Sequence, residues 1–267
     1  MTPASVVAAA REGFHAPGIG EFEWPPLIHL ELFGVDLSIN RVVLQMFLVA
    51  GLVMLLFWYP FRRPSLVPHG LQNVMESAVD FVRNGIVLEV IGREGLRYVP
   101  YLTTLFVFIF LANLSGIVPV LSFPVTARMA LPAVMALTST ALFIGIGMRR
   151  QGVWRYLRNS LFPPEVPPFL YPLLTPIEFI STFVVRPVTL AVRLLANMIA
   201  GHLILAVFFS ATAYLLSSYN VSALFGVGAF IFAVALVAFE LFVAALQAYV
   251  FTILSAVYIA GALDPEH

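Results

Sequence analysis

Apolar residues in this chain gather into runs too long for a soluble core. The first covers 40–59, and about 20 residues at ~1.5 Å each match the ~30 Å hydrocarbon layer of a bilayer. Trp58 and Tyr59 sit where an interfacial aromatic belt falls, and Pro60, Arg62, Arg63 and Pro64 close the run. Two further runs of spanning length cover 99–119 and 129–148. A proline-dense connector at 161–172 leads to two much longer ones, 173–217 and 221–263, with Ser217, Ser218, Tyr219 and Asn220 between them. Each exceeds about 40 residues, or about 60 Å as helix, twice the hydrocarbon thickness. Either each is two spans or each is one helix lying unusually flat. Pro187 is a candidate break in the first, but the second has no proline before Pro265. Two steeply inclined helices forming a hairpin are therefore predicted.

A different pattern occupies 70–95. Leu71, Val74, Met75, Ala78, Val82 and Ile86 share one helical face, while Asn73, Glu76, Asp80 and Arg83 lie opposite. This predicts an amphipathic helix on the membrane surface, the alternative being a helix docked in a soluble segment. The predicted fold is thus all-α and polytopic. About five membrane-embedded helices and one interfacial helix make a single membrane domain, 40–267, behind a polar Pro/Gly-rich tail, 1–39.

Composition agrees. The chain has 267 residues, 61% hydrophobic and 10% charged, with a mean hydropathy of +0.97. That is the profile of an integral membrane protein. Net charge is zero, so bulk electrostatics names no partner. Cysteine is absent, which excludes disulfides, thiolate catalysis and Cys-ligated metals. The apolar run 6–10 is too short for a signal peptide, so the first span is expected to direct insertion.

Arginine placement sets the orientation. Segments 60–98 and 149–160 hold five and four Arg, whereas the tail and the 119–130 loop hold Arg11 and Arg128. The positive-inside rule puts the N-terminus outside and both Arg-rich segments in the cytoplasm, and a hairpin returns the C-terminus there. Trp154 and Tyr156 interleave with Arg149, Arg150, Arg155 and Arg158. After a spanning helix, such a stretch reads as a cytoplasmic anchor rather than a nucleic-acid site.

Polar residues inside the apolar half carry the candidate chemistry. The stretch from Arg186 to His202 contains two arginines, an asparagine and a histidine. Arginine keeps its charge wherever it is placed, and a cation inside the bilayer is expensive, so it marks a functional site by default. On a helix, Arg186, Thr189, Asn197 and Ala200 fall within about 40° of Arg193, Gly201 at about 80°, and His202 on the opposite side. One face is small and polar around a fixed cation; the other bears a titratable group. Further on, Glu240 and Gln247 are seven residues apart and share a face. They read either as polar glue that neutralises an arginine or, with His202, as a proton path built from carboxylate, imidazole and amide. His202 and Glu240 lack a third ligand for a metal. No Gly-rich phosphate loop, nucleophile elbow or paired catalytic carboxylates are present, so neither cofactor nor catalytic residues are expected.

The pattern R-P-x-T-L-x-x-R-L-x-x-N-M-x-A-G-H over 186–202 closely resembles the signature of the a subunit of F-type ATP synthases. Two more blocks are similar to that family. One is Asn113-Leu-Ser-Gly-Ile-Val-Pro119; the other runs from Glu240 through Gln247-Ala-Tyr-Val-Phe to Tyr258. The resemblance runs from about residue 40 to the end and leaves the tail without a matching motif. It implies a non-catalytic ion-channel subunit in the membrane sector of a rotary ATP synthase. Its partners would be a ring of c subunits bearing membrane carboxylates, the peripheral-stalk b subunits, and the rest of the complex. Its place would be the bacterial plasma membrane. By motif position Arg193 would be the cation facing the ring, with Asn197 and Gln247 lining the path beside it. His202 and Glu240, with Asn113 nearby, would relay protons in the half-channel open to the outside. Arg186 stands where the family often has Lys, and Glu178 would serve the cytoplasmic half-channel.

Two departures stand out. Familiar bacterial members carry the acid at the His202 position and the histidine at the Glu240 position; here the pair is exchanged. Gly116 also stands where some members have Asp. The ion, proton or sodium, depends on the ring carboxylate, and His202 with Glu240 favours proton. The rivals are a stand-alone proton-coupled secondary transporter, for which no internal repeat is found, and an intramembrane enzyme, which lacks a nucleophile or metal constellation.

Overall fold

The computed structural model describes residues 18, 31–32, 35–36, 40–118, 125–162, 171–217 and 222–263. Pro119, the turn residues Ser218, Tyr219 and Asn220, most of the tail and most of the 161–172 connector lie outside the described residues. In the tail, Glu31–Leu32 pairs antiparallel with Val35–Asp36. Every other regular element among the described residues is helical.

Helix α1 (Arg41–Trp58) starts at Asn40, whose side-chain oxygen accepts the Val43 N–H at 3.0 Å. This supplies one of the orphan amides of a first turn with its partner. Below it, the Arg62 guanidinium lies 5.1 Å over the Trp58 ring. Helix α2 (Leu71–Val82) passes through a π turn, Arg83–Val87, in which the Leu88 N–H reaches the Arg83 carbonyl. Gly92, at φ 82°, redirects the chain into a 3-10 turn, Arg93–Tyr98, and then α3 (Val99–Ile117). Helix α4 (Ala130–Gln151) ends at Gly152, where φ is 84° and the N–H caps the Met148 carbonyl. The anchor stretch then forms a helix, α5 (Val153–Leu161), not foreseen from its composition. Helix α6 (Tyr171–Ile180) continues through a second π turn, Ser181–Val185, into α7 (Arg186–Ser217), and α8 (Ser222–Leu263) closes the chain.

Among the described residues five helical stretches are long and apolar enough to cross a membrane: Arg41–Arg62, Arg93–Ile117, Ala130–Gln151, Tyr171–Ser217 and Leu224–Leu263. The last two, of 47 and 40 residues, are each one unbroken helical run, as the length argument predicted. Pro187 does not break the first of them. The backbone has already widened ahead of it, with the Arg186 N–H bonded to the Ser181 carbonyl five residues back. A π turn of this kind makes room for a proline ring that would otherwise strike the preceding turn.

The expected apolar face of α2 is split. Met75, Val82 and Ile86 are buried, but Leu71 and Val74 are exposed, at 49% and 61%. Polar Gln72 is buried instead, donating to Glu76 Oε1 at 2.7 Å and to the Ser65 carbonyl at 3.0 Å. Those bonds offset the cost of burying an amide. The narrow stripe Met75–Val82–Ile86 faces protein, and the flank beside it does not.

The described chain clusters into two interleaved units. The second unit comprises Val49–Leu111, Arg128–Leu195 and Leu246–His267. In it Val53, Met75 and Val107 form an apolar centre packed by Phe57, Phe106 and Leu111. Helix α5 packs closely on α4. A methyl group on buried Gly147 would overlap the Tyr156 ring. Gly147→Ala is therefore expected to destabilise the protein by about 1–3 kcal/mol, as overpacking of a close-packed site does; thermal unfolding in detergent checks it. The first unit, Met1–Leu48, Ala112–Ala127 and Ala196–Ala245, holds much of the hairpin. A methyl on Gly226 would meet Leu216 at 3.0 Å, the Phe208 and Phe232 rings lie 4.8 Å apart, and one on Gly201 would meet Glu240. Partners descend along α7 as they ascend along α8, so the two helices run antiparallel.

Candidate functional site

Within the second unit, α7 buries Leu190, Ala191 and Leu194 and exposes Thr189, Val192 and Arg193. Helical periodicity dictates this. Leu190, Leu194 and Met198 recur every four residues and face inward, which turns Arg193 outward. No described acid pairs with Arg193. A charge on the outer face of a spanning helix must be covered by a partner or by water. The part of α7 in the first unit likewise exposes Ala196, Ala200 and Ile204, and the two alanines leave space for another backbone to approach.

Gln247 is 3% exposed on α8, on a seam with Ala244, Ala248, Phe251 and Ser255. Arg186 and Glu178 enter a shared setting that sequence reasoning did not assemble. Both line a cavity of about 250 Å³ with Thr182, Tyr156, Ser160 and Tyr258. The Arg186 guanidinium lies 5.2 Å from the Tyr258 ring centre, a cation–π contact that steadies it. Glu178, Thr182 and Arg186 are spaced by four residues, a signal that could have placed them together. Tyr156 and Ser160 carried no such signal, because only the packing of α5 on α4 brings them in. Burial pushes the Tyr156 hydroxyl above its ordinary value, against the lowering effects of a Ser160 hydrogen bond and the Arg186 charge, so it stays protonated at neutral pH. The cavity is polar and far larger than the ~30 Å³ share of one water, so it can hold a hydrogen-bonded water cluster.

In the first unit, Glu240 is 5% exposed and its Oε2 has no hydrogen-bond partner among the described residues. An orphaned carboxylate oxygen in a protein interior is costly and calls for water, a proton or a mobile partner. Glu240 packs on Gly201: a methyl there would lie 2.9 Å from Glu240 Oε1 and 3.4 Å from its carboxyl carbon. Glycine thus makes room for the acid. His202 and Asn197 are half-buried on the same helix. Asn113 is 1% exposed and accepts the Thr126 hydroxyl at 2.9 Å, and its amide nitrogen has no hydrogen-bond partner among the described residues. Thr126, fully buried, was not singled out from sequence; it follows a segment with no periodic signal. Among the described residues no group of three or more His, Cys, Asp or Glu could hold a metal ion.

Gly201→Ala is expected to keep the fold but displace the Glu240 carboxylate, because the atom in its way is the mobile end of a side chain. Thermal unfolding in detergent should show little loss of stability for Gly201→Ala and a larger one for Gly201→Val, whose branched side chain cannot be met by moving one carboxylate.

Comparison with known proteins bears on the chain as a whole. Residues 43–260 match the family model described as ATP synthase A chain. The chain is 44% identical over 266 residues to an ATP synthase subunit a of Rhodococcus erythropolis, covering 98% of this chain and 95% of that one. It is 42% identical to one from a Parafrankia species, over 99% of this chain and 89% of the relative. For one from Rhodospirillum rubrum the identity is 38%, over 94% and 99%. With a family match that spans the candidate site and relatives of this identity over nearly the full length, the chain belongs to the ATP synthase A chain family.

Proposed function

We propose that this chain is the non-catalytic, ion-translocating stator subunit of the membrane sector of a rotary ATP synthase. It passes protons through two offset half-channels to and from the carboxylates of a c-subunit ring, and so couples the ion gradient to rotation and ATP synthesis. It sits in the bacterial plasma membrane with its N-terminus outside, held beside the ring by peripheral-stalk b subunits.

The observation that carries this reading is the outward placement of Arg193 on a spanning helix whose opposite face is packed. A fixed cation on the outer surface attracts an ionised carboxylate on a neighbouring helix in a low-dielectric site. It disfavours the protonated form as each carboxylate arrives, so the proton leaves on one side. The same charge deters protons from crossing directly. Glu240, with His202 and Asn113, supports the outer half-channel, and the cavity of Glu178, Arg186 and Tyr258 supports the cytoplasmic one. The driving force is about 2.3 kcal/mol per charge per 100 mV.

The chain has no cysteine, which makes the test clean. Ala196→Cys and Ala200→Cys are each expected to form a disulfide with a cysteine placed on the carboxylate-bearing helix of the ring. A control cysteine at Leu194, on the buried face, is not. Purification without any ring, together with transport by the isolated chain, would establish the secondary transporter instead.

A further inference from the structure

Helix α5 has two faces, and the polar cavity beside Glu178 uses one of them. At about 100° per residue Tyr156, Asn159 and Ser160 fall on that side, and Val153, Trp154, Leu157, Arg158 and Leu161 on the other, with Arg155 between Arg158 and Asn159. The second side borders a separate cavity of about 790 Å³, whose lining includes Trp154, Arg155, Leu157, Arg158, Phe162 and Tyr171. Phe162 and Tyr171 meet edge to face at 5.4 Å and form one wall. Trp154 is 83% exposed. Arg150 nearby is held by Glu94 at 3.0 Å, whereas Arg155 and Arg158 are exposed and make no ion pair with a described residue.

We propose that this cavity is a binding site for an anionic phospholipid. Arg155 and Arg158 take the headgroup phosphate, and Trp154 and Leu157 lie against the glycerol and upper acyl chains. Three observations converge on that occupant. The guanidinium fork matches phosphate geometry, and two such groups stand at the edge of one apolar face. The helix directly follows a spanning helix and carries its tryptophan outward, as interfacial helices do. Arginine counts place this loop on the side where leaflet lipids are anionic. Asn159 borders both cavities and donates to Gln151 Oε1 at 3.1 Å, so lipid held on the outer face would also steady the wall of the inner cavity.

The test uses the intact complex, stripped of lipid in detergent and incubated with photoactivatable phosphatidylglycerol or, separately, photoactivatable phosphatidylcholine. Phosphatidylglycerol is expected to label the 153–162 peptide, and phosphatidylcholine to label it weakly. Each arginine near an anionic surface contributes about fivefold, so Arg155→Gln with Arg158→Gln should weaken that labelling about twenty-five-fold. Arg155→Lys with Arg158→Lys should retain most of it, which separates lost charge from lost fold. Equal labelling by both lipids, labelling indifferent to the glutamine pair, or displacement by excess inorganic phosphate alone would overturn the proposal. So would cross-linking of Trp154→Cys to a neighbouring subunit without lipid label. None of these readouts depends on the ring, so the proposal stands or falls apart from the assigned function.

Discussion

Arg193→Ala is expected to abolish ATP-driven proton pumping and ATP synthesis in a complex that still assembles. The expected loss is at least about a hundredfold, because removing one member of a low-dielectric charge pair costs about 3–5 kcal/mol. The residue is exposed on α7, so its removal leaves the packed face of Leu190, Ala191 and Leu194 untouched. Assembly and thermal stability should therefore stay near wild type, and the loss should lie in coupling. With the catalytic head removed, passive proton leak through the membrane sector is expected to persist or rise, since the proposed barrier to direct crossing has gone. Arg193→Lys restores a charge but not a planar fork, and should recover only a small part of the activity. Coupled pumping at the wild-type rate in Arg193→Ala would sink the proposed mechanism and leave the arginine a surface charge met by water.

The second large effect is expected at Glu240. Glu240→Gln keeps size and hydrogen-bonding capacity but cannot take up and release a proton. Pumping is expected to drop by about a hundredfold or more, within the ~10²–10⁴ contributed by a positioned proton-transfer group. Stability should hold or improve, because an amide in place of the acid removes a buried ionisable group whose Oε2 has no partner among the described residues. A purely structural role predicts the opposite pattern: unchanged flux and a weaker fold. His202→Glu combined with Glu240→His restores the arrangement expected in other bacterial members and should retain most of the flux. Either substitution alone leaves two like groups and should lose it. Measurements of ATP-driven quenching of a pH-sensitive dye in inverted vesicles separate these outcomes.

Much of this was legible before any fold was known. Twenty-residue apolar runs can only be membrane helices, because unpaired backbone polar groups are not tolerated in hydrocarbon. Runs of twice that length favoured single long helices over paired spans, most firmly in the second run, which has no proline before Pro265, and stretches of 47 and 40 residues are what the structure shows. A charge that arginine cannot discard had to be functional or paired, so Arg193, Glu240 and Gln247 stood out from their surroundings in the sequence alone. Periodicity also determined which face of α7 Arg193 shares with Thr189 and Ala200, since that follows from 3.6 residues per turn.

Packing decided the rest. Whether Pro187 ended a helix depended on the π turn Ser181–Val185 just ahead of it, a local choice that residue identity does not specify. Which half of the α2 apolar stripe met protein, and why Gln72 was worth burying, depended on where Ser65 and Glu76 came to lie. Tyr156 and Ser160 join Glu178 and Arg186 only because α5 folds back on Gly147, and the Thr126 hydroxyl donates to the Asn113 side-chain oxygen across 13 residues of chain. The fit of Glu240 against Gly201 joins positions 39 residues apart in sequence on two helices. Short-range periodicity reports the face a residue occupies, while its neighbours are chosen by the close packing of whole helices, where a single methyl group settles which contacts can form.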